Sequence, residues 1–280
     1  MRYYSPLRYP GGKAKLADYV KLLLRENDLL DGHYLEVYAG GASVGLELLL
    51  EDWVSRISIN DIDRAVHGFW RAVLDETDAL CQLIRDQPVT ATEWQRQRSI
   101  YASPTASPLE LGFAAFFLNR TNRSGIIASG GMIGGNAQTG RWKLDARYNK
   151  QELIHRIERI ARYRGRISLT NLDAQRLLAE VLPRLPKKSL VYLDPPYYVK
   201  GRRRLYANFY EHGDHAAIAK QMARAKRPWI VSYDAAPEIC RLYSRFRSVR
   251  YGLGYTARDR YEGEEVMFFS DTLKIPEASP

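Results

Sequence analysis

Short apolar segments alternate with helical patterns near both ends of the chain. Five segments rich in β-branched and aromatic residues each predict a strand: 34–38, 56–60, 167–171, 190–193 and 229–233. An apolar stretch at 43–50, which Ser43 could cap, predicts a helix, and the next helix should begin near Arg64. Segments 249–255 and 265–269 predict an antiparallel hairpin. Because strands alternate with helices, we predict a doubly wound, mostly parallel α/β sheet that this hairpin closes.

The middle of the chain has a different pattern. Most of residues 69–164 shows helical patterning, interrupted by polar loops that contain proline. Segment 129–136 is too rich in glycine for a helix and predicts a flexible hairpin or loop, whereas 150–163 predicts an amphipathic helix. We therefore predict two domains, an inserted and mostly helical one at 69–164 and an α/β domain built from 1–68 and 165–280.

Composition excludes several classes of protein. The 280 residues are 45% hydrophobic and 26% charged, which argues against fibrous and disordered proteins. No apolar run approaches the ~18 residues of a membrane span. The first residues lack the hydrophobic core of a signal peptide, so we expect a cytoplasmic protein with no membrane partner. Cys81 and Cys240 are the only cysteines, too few for a zinc knuckle or a disulfide framework.

Basic residues outnumber acidic residues and are clustered. Lys and Arg total 42 against 32 Asp and Glu, which gives a net charge of +10. Residues 200–204 read Lys-Gly-Arg-Arg-Arg, and seven basic residues lie within 147–166 against two glutamates. Such clusters favour contact with a polyanion such as nucleic acid. Several arginines on helices could instead form a solvated face.

Polar residues follow four of the predicted strands: Tyr38 with Gly40, then Asp61, Asp173 and Asp194. In open α/β sheets the carboxyl ends of the strands bind ligands. Glycine at position 40 would let a ligand approach the backbone closely, although tight strand–helix packing would explain it equally well. The glycine loop also lacks the dinucleotide fingerprint G-x-G-x-x-G. Asp61 could accept both hydroxyls of a ribose, or it could cap the following helix.

The tetrapeptide Asp194-Pro195-Pro196-Tyr197 is the most specific signal in the sequence. Two prolines directly after an apolar strand end the ladder and stiffen the turn. The Asp194 carboxylate and the Pro195 carbonyl can each accept one hydrogen of a planar heterocyclic amine, on which Tyr197 can stack. The alternative is a rigid turn that carries a surface tyrosine.

The chain resembles the Dam-like (D12) class of adenine-specific DNA methyltransferases. Five segments carry the resemblance, in the same order along the chain: 8–13 (R-Y-P-G-G-K), 36–43 (E-V-Y-A-G-G-A-S), 60–63 (N-D-I-D), 117–120 (F-L-N-R) followed by Gly125, and 194–197 (D-P-P-Y). The resemblance implies a Rossmann-like class I methyltransferase sheet with an inserted target-recognition domain. It further implies methylation of adenine N6 at a specific site in double-stranded DNA, by base flipping, with S-adenosylmethionine as donor and no metal.

The resemblance also implies roles for individual residues. Tyr9 and Lys13 should contact the donor, Asp61 should hold its ribose, and Asp173 should meet its adenine amino group. Tyr38 and Gly40 belong to the donor loop, and Asp194 should lie between donor and target base. Contacts to DNA are expected from Arg8, Arg120, Arg123 and Ser124, and phosphate contacts from Arg202, Arg203 and Arg204.

This sequence departs from the family pattern in the recognition region. Arg123-Ser124 replaces the aromatic-plus-asparagine pair often found before the recognition glycine, and the segment 129–136 has no counterpart. The resemblance therefore does not imply the recognition sequence. It leaves open a monomer or a homodimer, a cognate restriction endonuclease as partner, and a bacterial or phage protein associated with the nucleoid.

Three other functions compete with adenine methylation. Cytosine-N4 methyltransferases also act on an exocyclic amine, but they more often carry Ser where this chain has Asp194. Protein glutamine methylases carry Asn at that position. A non-catalytic DNA-binding protein on a methylase fold would be expected to lose Asp194 or the glycines, and this chain has both.

Overall fold

A computed structural model describes residues 4–8, 16–198, 210–254 and 262–280. The described residues group into two units by their contacts. The first unit, here called the sheet unit, consists of the described residues within 11–62 and 166–280. The second unit, here called the helical unit, consists of those within 1–10 and 63–165. The sequence-based division falls after residue 68, whereas this grouping changes after Ile62. The functional roles of the two units remain predictions.

Seven strands form one sheet in the sheet unit: β1 Gly32–Glu36, β2 Val54–Asn60, β3 Ile167–Thr170, β4 Ser189–Leu193, β5 Trp229–Asp234, β6 Arg247–Gly254 and β7 Glu262–Phe269. The strand order is β3-β2-β1-β4-β5-β7-β6. The first five strands pair in parallel. Strand β7 runs antiparallel to both of its neighbours. The predicted Rossmann-like α/β sheet with an antiparallel C-terminal hairpin is therefore confirmed.

The described residues contain ten α-helices: α1 Leu16–Glu26, α2 Ser43–Leu50, α3 Arg64–Asp75, α4 Thr77–Asp86, α5 Ala91–Ala102, α6 Pro108–Thr121, α7 Lys150–Ala161, α8 Ala174–Glu180, α9 His212–Met222 and α10 Pro237–Leu242. None of them is both long enough and apolar enough to cross a membrane. Helices α3 to α7 belong to the helical unit, and the others belong to the sheet unit.

Alternation along the central strands separates an apolar face from one that mixes apolar and polar side chains. Leu35 of β1, Val191 of β4 and Val231 of β5 join a buried core with residues of α8, α9 and α10. Since successive side chains of a strand point to opposite faces, Glu36 of β1 and Tyr192 of β4 lie on the other side. That face carries the polar groups of the candidate site.

The helical unit depends on a close helix crossing. A Cβ atom built on Gly112 of α6 would lie 2.5 Å from the backbone carbon of Gly68 in α3, so the two helices meet with no room for a side chain. Phe69 of α3 stacks on Phe116 of α6 with ring centroids 5.6 Å apart, and Tyr148 packs edge-on against Phe116 at 5.5 Å. Glycine at the crossing thus lets α3 and α6 approach closely enough for these aromatic rings to pack together.

Two local predictions have different outcomes. Segment 129–136 forms turns rather than a helix, as predicted, and Gly134 and Gly135 there have φ of 84° and 73°. The predicted cap by Ser43 is wrong, because Ser43 is the first helical residue and Ala42 is the N-cap, with φ of 47° and no side-chain cap. The Ala42 N–H donates to the Ala39 carbonyl at 2.6 Å in a tight turn. Because of this turn, the N-cap is Ala42, one residue before the predicted cap.

Candidate active site

Four adjacent strands bring the predicted polar residues to one edge of the sheet. Because β3, β2, β1 and β4 are neighbours and all parallel, their carboxyl ends share that edge. The strands are followed, in this spatial order, by Asp173, Asp61, the loop from Tyr38 to Gly40, and Asp194. The fold therefore assembles a row of three carboxylates and a glycine turn from segments far apart in the sequence.

The glycine turn is joined directly to Asp61. Gly40 has φ of 47°, in the left-handed region that favours glycine. Its backbone N–H donates to Oδ2 of Asp61 at 2.9 Å, so this carboxylate lies beside the turn. The alternative in which Asp61 caps the next helix is wrong. Asp63 is the cap of α3, and its Oδ1 accepts from the N–H groups of Ala65 and Val66.

Asn60 holds three strand ends together, a role that sequence analysis missed. Its side chain is 1% exposed. The Nδ2 group donates to the carbonyls of Val37 and Leu172, both at 3.0 Å. The Oδ1 atom accepts from Leu172 N–H at 2.9 Å and from the Thr170 hydroxyl at 2.8 Å. The ends of β1, β2 and β3 are thus fixed to one another, which fixes the neighbouring Asp61. The sequence does contain one sign of this role, which is that a polar residue, Asn60, ends an apolar strand.

Asp173 lies at the same edge and caps a helix. Its Oδ1 accepts from Gln175 N–H at 2.8 Å and from Arg176 N–H at 3.4 Å, at the start of α8. The predicted contact with the adenine of a donor is a separate role for this side chain, and it remains a prediction.

Asp194 is held from the neighbouring strand β5. The Ser232 hydroxyl donates to Oδ1 of Asp194 at 3.1 Å, and the Tyr192 hydroxyl lies 2.9 Å from the Ser232 oxygen. Ser232 is fully buried, whereas Asp194 is partly exposed. Pro195 is buried and Pro196 is partly exposed. The tetrapeptide therefore begins with a carboxylate that is anchored on its buried side and accessible on the other.

Tyr197 is anchored at its hydroxyl. That hydroxyl donates to Oε1 of Glu265 on β7 at 2.6 Å. The backbone N–H of Tyr198 donates to Oδ1 of Asp234, at the end of β5, at 2.9 Å. The role of neither acid is visible in the sequence, because Glu265 lies 68 residues from Tyr197 and Asp234 lies 36 residues from Tyr198 along the chain.

Buried groups behind Asp194 respond to its charge. Burial raises the pKa of Glu36 to about 8, the Gly45 N–H that donates to its Oε2 at 3.2 Å lowers this pKa, and the charge of Asp194 raises it. Burial also raises the pKa of Tyr34 and Tyr192 well above the usual range, with Asp194 contributing in both cases. The Tyr34 hydroxyl is buried without a hydrogen-bond partner among the described residues. Asp194 thus adds to the effect of burial on three buried groups behind it.

Tyr38 contacts a second tyrosine. Its hydroxyl donates to that of Tyr210 at 3.1 Å, with the rings edge-to-face and their centroids 6.0 Å apart. Burial raises the pKa of Tyr210 to about 12 and that of Tyr38 well above its ordinary value. Sequence analysis did not include Tyr210.

Two of the predicted DNA-binding arginines share a basic cluster in the helical unit. The Arg120 Nε donates to the Arg147 carbonyl at 2.7 Å. Burial lowers the pKa of Arg120 to about 9, and the charges of Arg8, Arg156 and Arg147 lower it further. Burial and Arg147 also lower the pKa of Arg8. These four residues, here called the arginine cluster, bring like charges together, which favours an anionic partner.

Arg8 is held by hydrogen bonds to Asn119 and lies beside the turn that contains Arg123, Ser124 and Gly125. Asn119 accepts from the Arg8 N–H and donates to the Arg8 carbonyl, each at 2.7 Å. Gly125 has φ of 74°, and a Cβ there would lie 2.7 Å from the same carbonyl. Arg123 and Ser124 are exposed in the turn between them, and Ser124 has φ of 56°.

Five of the predicted site residues lie outside the described part of the chain: Tyr9, Lys13, Arg202, Arg203 and Arg204. Among the residues that the structure describes, no group of three or more His, Cys, Asp or Glu side chains could hold a metal ion.

Two solved structures of methyltransferases match the chain at low sequence identity. An rRNA methyltransferase, aviRa from Streptomyces viridochromogenes, has 14% identity and a TM-score of 0.38, with 97% of this chain and 90% of that chain covered. A precorrin-6y C5,15-methyltransferase from Geobacter metallireducens GS-15 has 11% identity and a TM-score of 0.35, with 89% and 84% covered. No curated protein matches the chain.

A family comparison covers most of the sequence. The family described as D12 class N6 adenine-specific DNA methyltransferase matches residues 9–253. That range contains the glycine turn with Asp61, the Asp194 tetrapeptide and the turn at Arg123. The sheet is accordingly a class I Rossmann-like methyltransferase sheet, and the chain belongs to the D12 class of N6 adenine-specific DNA methyltransferases.

Proposed function

We propose that this enzyme transfers a methyl group from S-adenosylmethionine to the N6 amino group of adenine at a specific site in double-stranded DNA, after the base has left the helix. One observation carries the proposal: the glycine turn with Asp61 and the turn that begins at Asp194 share one edge of the sheet. The sheet unit would be the catalytic domain, and the helical unit would read the sequence.

The residues beside the glycine turn fit the methyl donor. Gly40 gives the turn its left-handed φ, and the Asp61 carboxylate lies at hydrogen-bond distance from the turn, where a ribose diol would need an acceptor. Tyr9 and Lys13 would add contacts, with Lys13 near the donor carboxylate. The donor supplies a methyl group on a positively charged sulfur, so its leaving group is neutral and the transfer requires no metal.

Asp194 and Pro195 would act on the target amine. The N6 lone pair of adenine is delocalised into the ring, so the amine is a poor nucleophile. Hydrogen bonds from the amine to the Asp194 carboxylate and the Pro195 carbonyl would favour a tetrahedral nitrogen and localise the lone pair. Holding this nitrogen in line with the methyl group can lower the barrier by several kcal/mol, about 7–11 at most. Asp194 need not be a strong base, because the proton becomes acidic only after transfer.

Base flipping would bring the adenine to this edge. An amine inside a duplex cannot reach Asp194, and extruding the nucleotide costs a few kcal/mol. Stacking of the extruded base on the ring of Tyr197 would offset about 1–3 kcal/mol of this cost. The partly exposed position of Tyr197 directly after the two prolines supports such a stack.

The arginine cluster supports a DNA partner for the helical unit. Arg8, Arg120, Arg147 and Arg156 concentrate positive charge, and Glu152, which pairs with Arg156 at 2.6 Å, offsets part of it. Phosphate groups would relieve the repulsion among the guanidinium groups. Arg123 and Ser124, exposed in the nearby turn, would reach the bases or the backbone. Arg202, Arg203 and Arg204 would hold phosphates near the flipped nucleotide.

The experiment is to identify the modified nucleoside. Plasmid DNA from a methylation-deficient host is incubated with protein and S-adenosylmethionine, digested to nucleosides and analysed by mass spectrometry. We expect N6-methyladenosine in its deoxy form, and sequencing of the methylated DNA should place it at one recurring sequence. N4-methylcytidine would replace the proposed substrate by cytosine, and the absence of any methylated nucleoside would leave only a DNA-binding role.

A further inference from the structure

A row of buried polar residues crosses the antiparallel end of the sheet unit. Asp234 of β5 pairs with Glu265 of β7, and Glu265 pairs with Tyr251 of β6. Residues directly opposite each other on adjacent strands present their side chains to the same face of the sheet. The exposed fractions are 9% for Asp234, 1% for Glu265 and 5% for Tyr251. Two acidic residues and a tyrosine thus lie side by side where an apolar layer would be expected.

Each acid in this row holds the turn that follows β4. Glu265 accepts the Tyr197 hydroxyl on Oε1 at 2.6 Å and the Tyr251 hydroxyl on Oε2 at 3.0 Å. Asp234 accepts the backbone N–H of Tyr198 at 2.9 Å. Both oxygens of Glu265 are therefore engaged by tyrosine hydroxyls, and one of those tyrosines ends the tetrapeptide.

Packing alone gives no reason for a glutamate at position 265. Burying a carboxyl group is costly, and two acids directly opposite each other on neighbouring strands destabilise a sheet. An apolar residue would fill the same space without either cost. The two hydroxyl donors offset the burial of Glu265 but do not explain why a carboxyl group is there.

The hydrogen bond restricts the one residue that needs a defined ring plane. A tyrosine side chain has two rotatable bonds, and its hydroxyl oxygen lies on the ring axis, so fixing that oxygen sets the direction of the side chain. Because a phenolic O–H prefers to lie in the ring plane, the direction of the hydrogen bond to Glu265 also favours one ring plane. A stacking partner for an extruded base works best when that plane is set before the base arrives, because no ordering cost remains to be met on binding. Glu265 sits on a paired strand of the sheet, a rigid support for this purpose.

We propose that Glu265 is a positioning residue for methyl transfer. It orients the ring of Tyr197 for stacking on the flipped adenine, with Tyr251 holding the second carboxyl oxygen. This inference rests on the proposed function, because it assumes that Tyr197 receives the base. It adds a residue of β7 to a site otherwise formed by the loops after the parallel strands.

The experiment compares Glu265→Gln, Tyr197→Phe and the double variant with the unaltered enzyme. Glu264→Gln is the matched control, since Glu264 is the adjacent exposed residue and its side chain pairs with Arg250 at 2.7 Å. Each protein is tested for the single-turnover rate of N6-adenine methylation and for the KM of S-adenosylmethionine. The substrate is a duplex carrying the recognition sequence. In a second duplex, 2-aminopurine replaces the target adenine, and its fluorescence reports how far the flipped base is stacked.

We expect Tyr197→Phe to slow the single-turnover rate about tenfold, the size of a lost hydrogen bond to a charged group. Glu265→Gln keeps an amide oxygen as a neutral acceptor for the Tyr197 hydroxyl, so it should slow the rate about fivefold, the difference between a charged and a neutral acceptor. The KM of S-adenosylmethionine should stay within twofold, and 2-aminopurine emission should rise because the flipped base stacks poorly. The double variant should be at most about twofold slower than Tyr197→Phe, because both changes act on the same hydrogen bond. Glu264→Gln should match the unaltered enzyme.

Two results would overturn the inference while the proposed function stands. One is a normal rate and normal fluorescence for Glu265→Gln, and the other is a double variant in which the two losses multiply. If Glu265→Gln does not fold, the test of the inference rests on Tyr197→Phe. A rate equal to that of the unaltered enzyme in that variant would exclude a role for the Tyr197 hydroxyl. The proposed function itself would fail differently, with no N6-methyladenine and no 2-aminopurine response from the unaltered enzyme.

Discussion

The two units of this enzyme carry opposite charge at their functional residues. The sheet unit collects acids, namely Asp61, Asp194, Asp234 and Glu265, and each of them accepts a hydrogen bond from a neighbouring backbone or hydroxyl group. The helical unit collects Arg8, Arg120, Arg147 and Arg156 in one cluster. One set of charges suits an amine and a cationic methyl donor, and the other suits the phosphates of DNA.

The difference also concerns how the charges are held. The acids of the sheet unit accept hydrogen bonds from defined backbone or hydroxyl donors, so at least one oxygen of each is positioned before any ligand binds. In the arginine cluster, the Arg120 Nε donates to the Arg147 carbonyl, and repulsion among the cations remains. Methyl transfer needs its reacting groups at defined positions, whereas contact with phosphates needs a high local density of positive charge.

Asp194→Ala should remove the chemistry and leave the donor site intact. We expect methyl transfer to fall at least about a hundredfold, as for loss of a group that acts on the reacting atoms. Donor affinity, measured by calorimetry, should stay within a few-fold, because the glycine turn and Asp61 are unchanged. Asp271→Ala removes an exposed acid of the same unit and should leave transfer at the normal rate. Retained turnover in Asp194→Ala would disprove the assigned role.

Glu36 should make stability fall as pH rises. Its pKa is raised to about 8 in the folded protein from an ordinary value of 4.5, so between these pH values the folded chain holds a proton that the unfolded chain has released. Stability from this group is therefore greatest below pH 4.5 and is lost as the pH rises to about 8, by a few kcal/mol in total.

Glu36→Gln is the corresponding variant, because glutamine keeps an acceptor for the Gly45 N–H but does not titrate in this range. Chemical denaturation at a series of pH values should show a shallower decline for the variant than for the unaltered protein between pH 5 and pH 8. Parallel curves would mean that Glu36 is ionised throughout this range.

Arg120→Ala should weaken binding to DNA of any sequence. We expect about a tenfold loss of affinity at moderate salt and a salt-dependence slope reduced by about one, the result of losing one phosphate contact. Arg176→Ala is the control, since that arginine is exposed in the sheet unit and pairs with Glu180 at 2.8 Å. An unchanged slope for Arg120→Ala would show that the arginine cluster does not contact phosphate.

Ser232→Ala should have the smallest effect. The change removes the donor that holds Oδ1 of Asp194 at 3.1 Å but leaves the carboxylate in place. The rate of methyl transfer should fall about threefold, in line with one ordinary hydrogen bond. Single-turnover measurements resolve a change of this size, and a loss as large as that of Asp194→Ala would mean that Ser232 contacts the substrate itself.

The sequence predicts the elements of the sheet well, because local patterns determine them. The apolar strands and their polar ends are visible in the sequence, and so is the tetrapeptide, since its meaning depends on four consecutive residues. The incorrect cap at Ser43 shows the limit of this approach. Both Ala42 and Ser43 fit the start of the helix, and the turn that the Ala42 N–H makes with Ala39 decides between them.

The supporting residues of the site could not be predicted in this way. Asn60 contacts Leu172 across 112 residues, Tyr38 contacts Tyr210 across 172, and Tyr197 contacts Glu265 across 68. Each pair depends on strand order and register, which periodicity does not specify. Glu265 in particular follows Glu264 in an unremarkable charged run, and only the pairing of β7 with β5 shows that one of the two is buried.

The position of β7 has a consequence for how the enzyme is made. This strand lies between β5 and β6, although it follows both in the chain. On the ribosome, β5 therefore emerges with an unpaired edge, open to association with other chains, until residues 262–269 arrive. A polypeptide released before that point would lack Glu265 and keep the edge exposed. Premature termination near the C-terminus should therefore yield an aggregation-prone product rather than a weakened methylase.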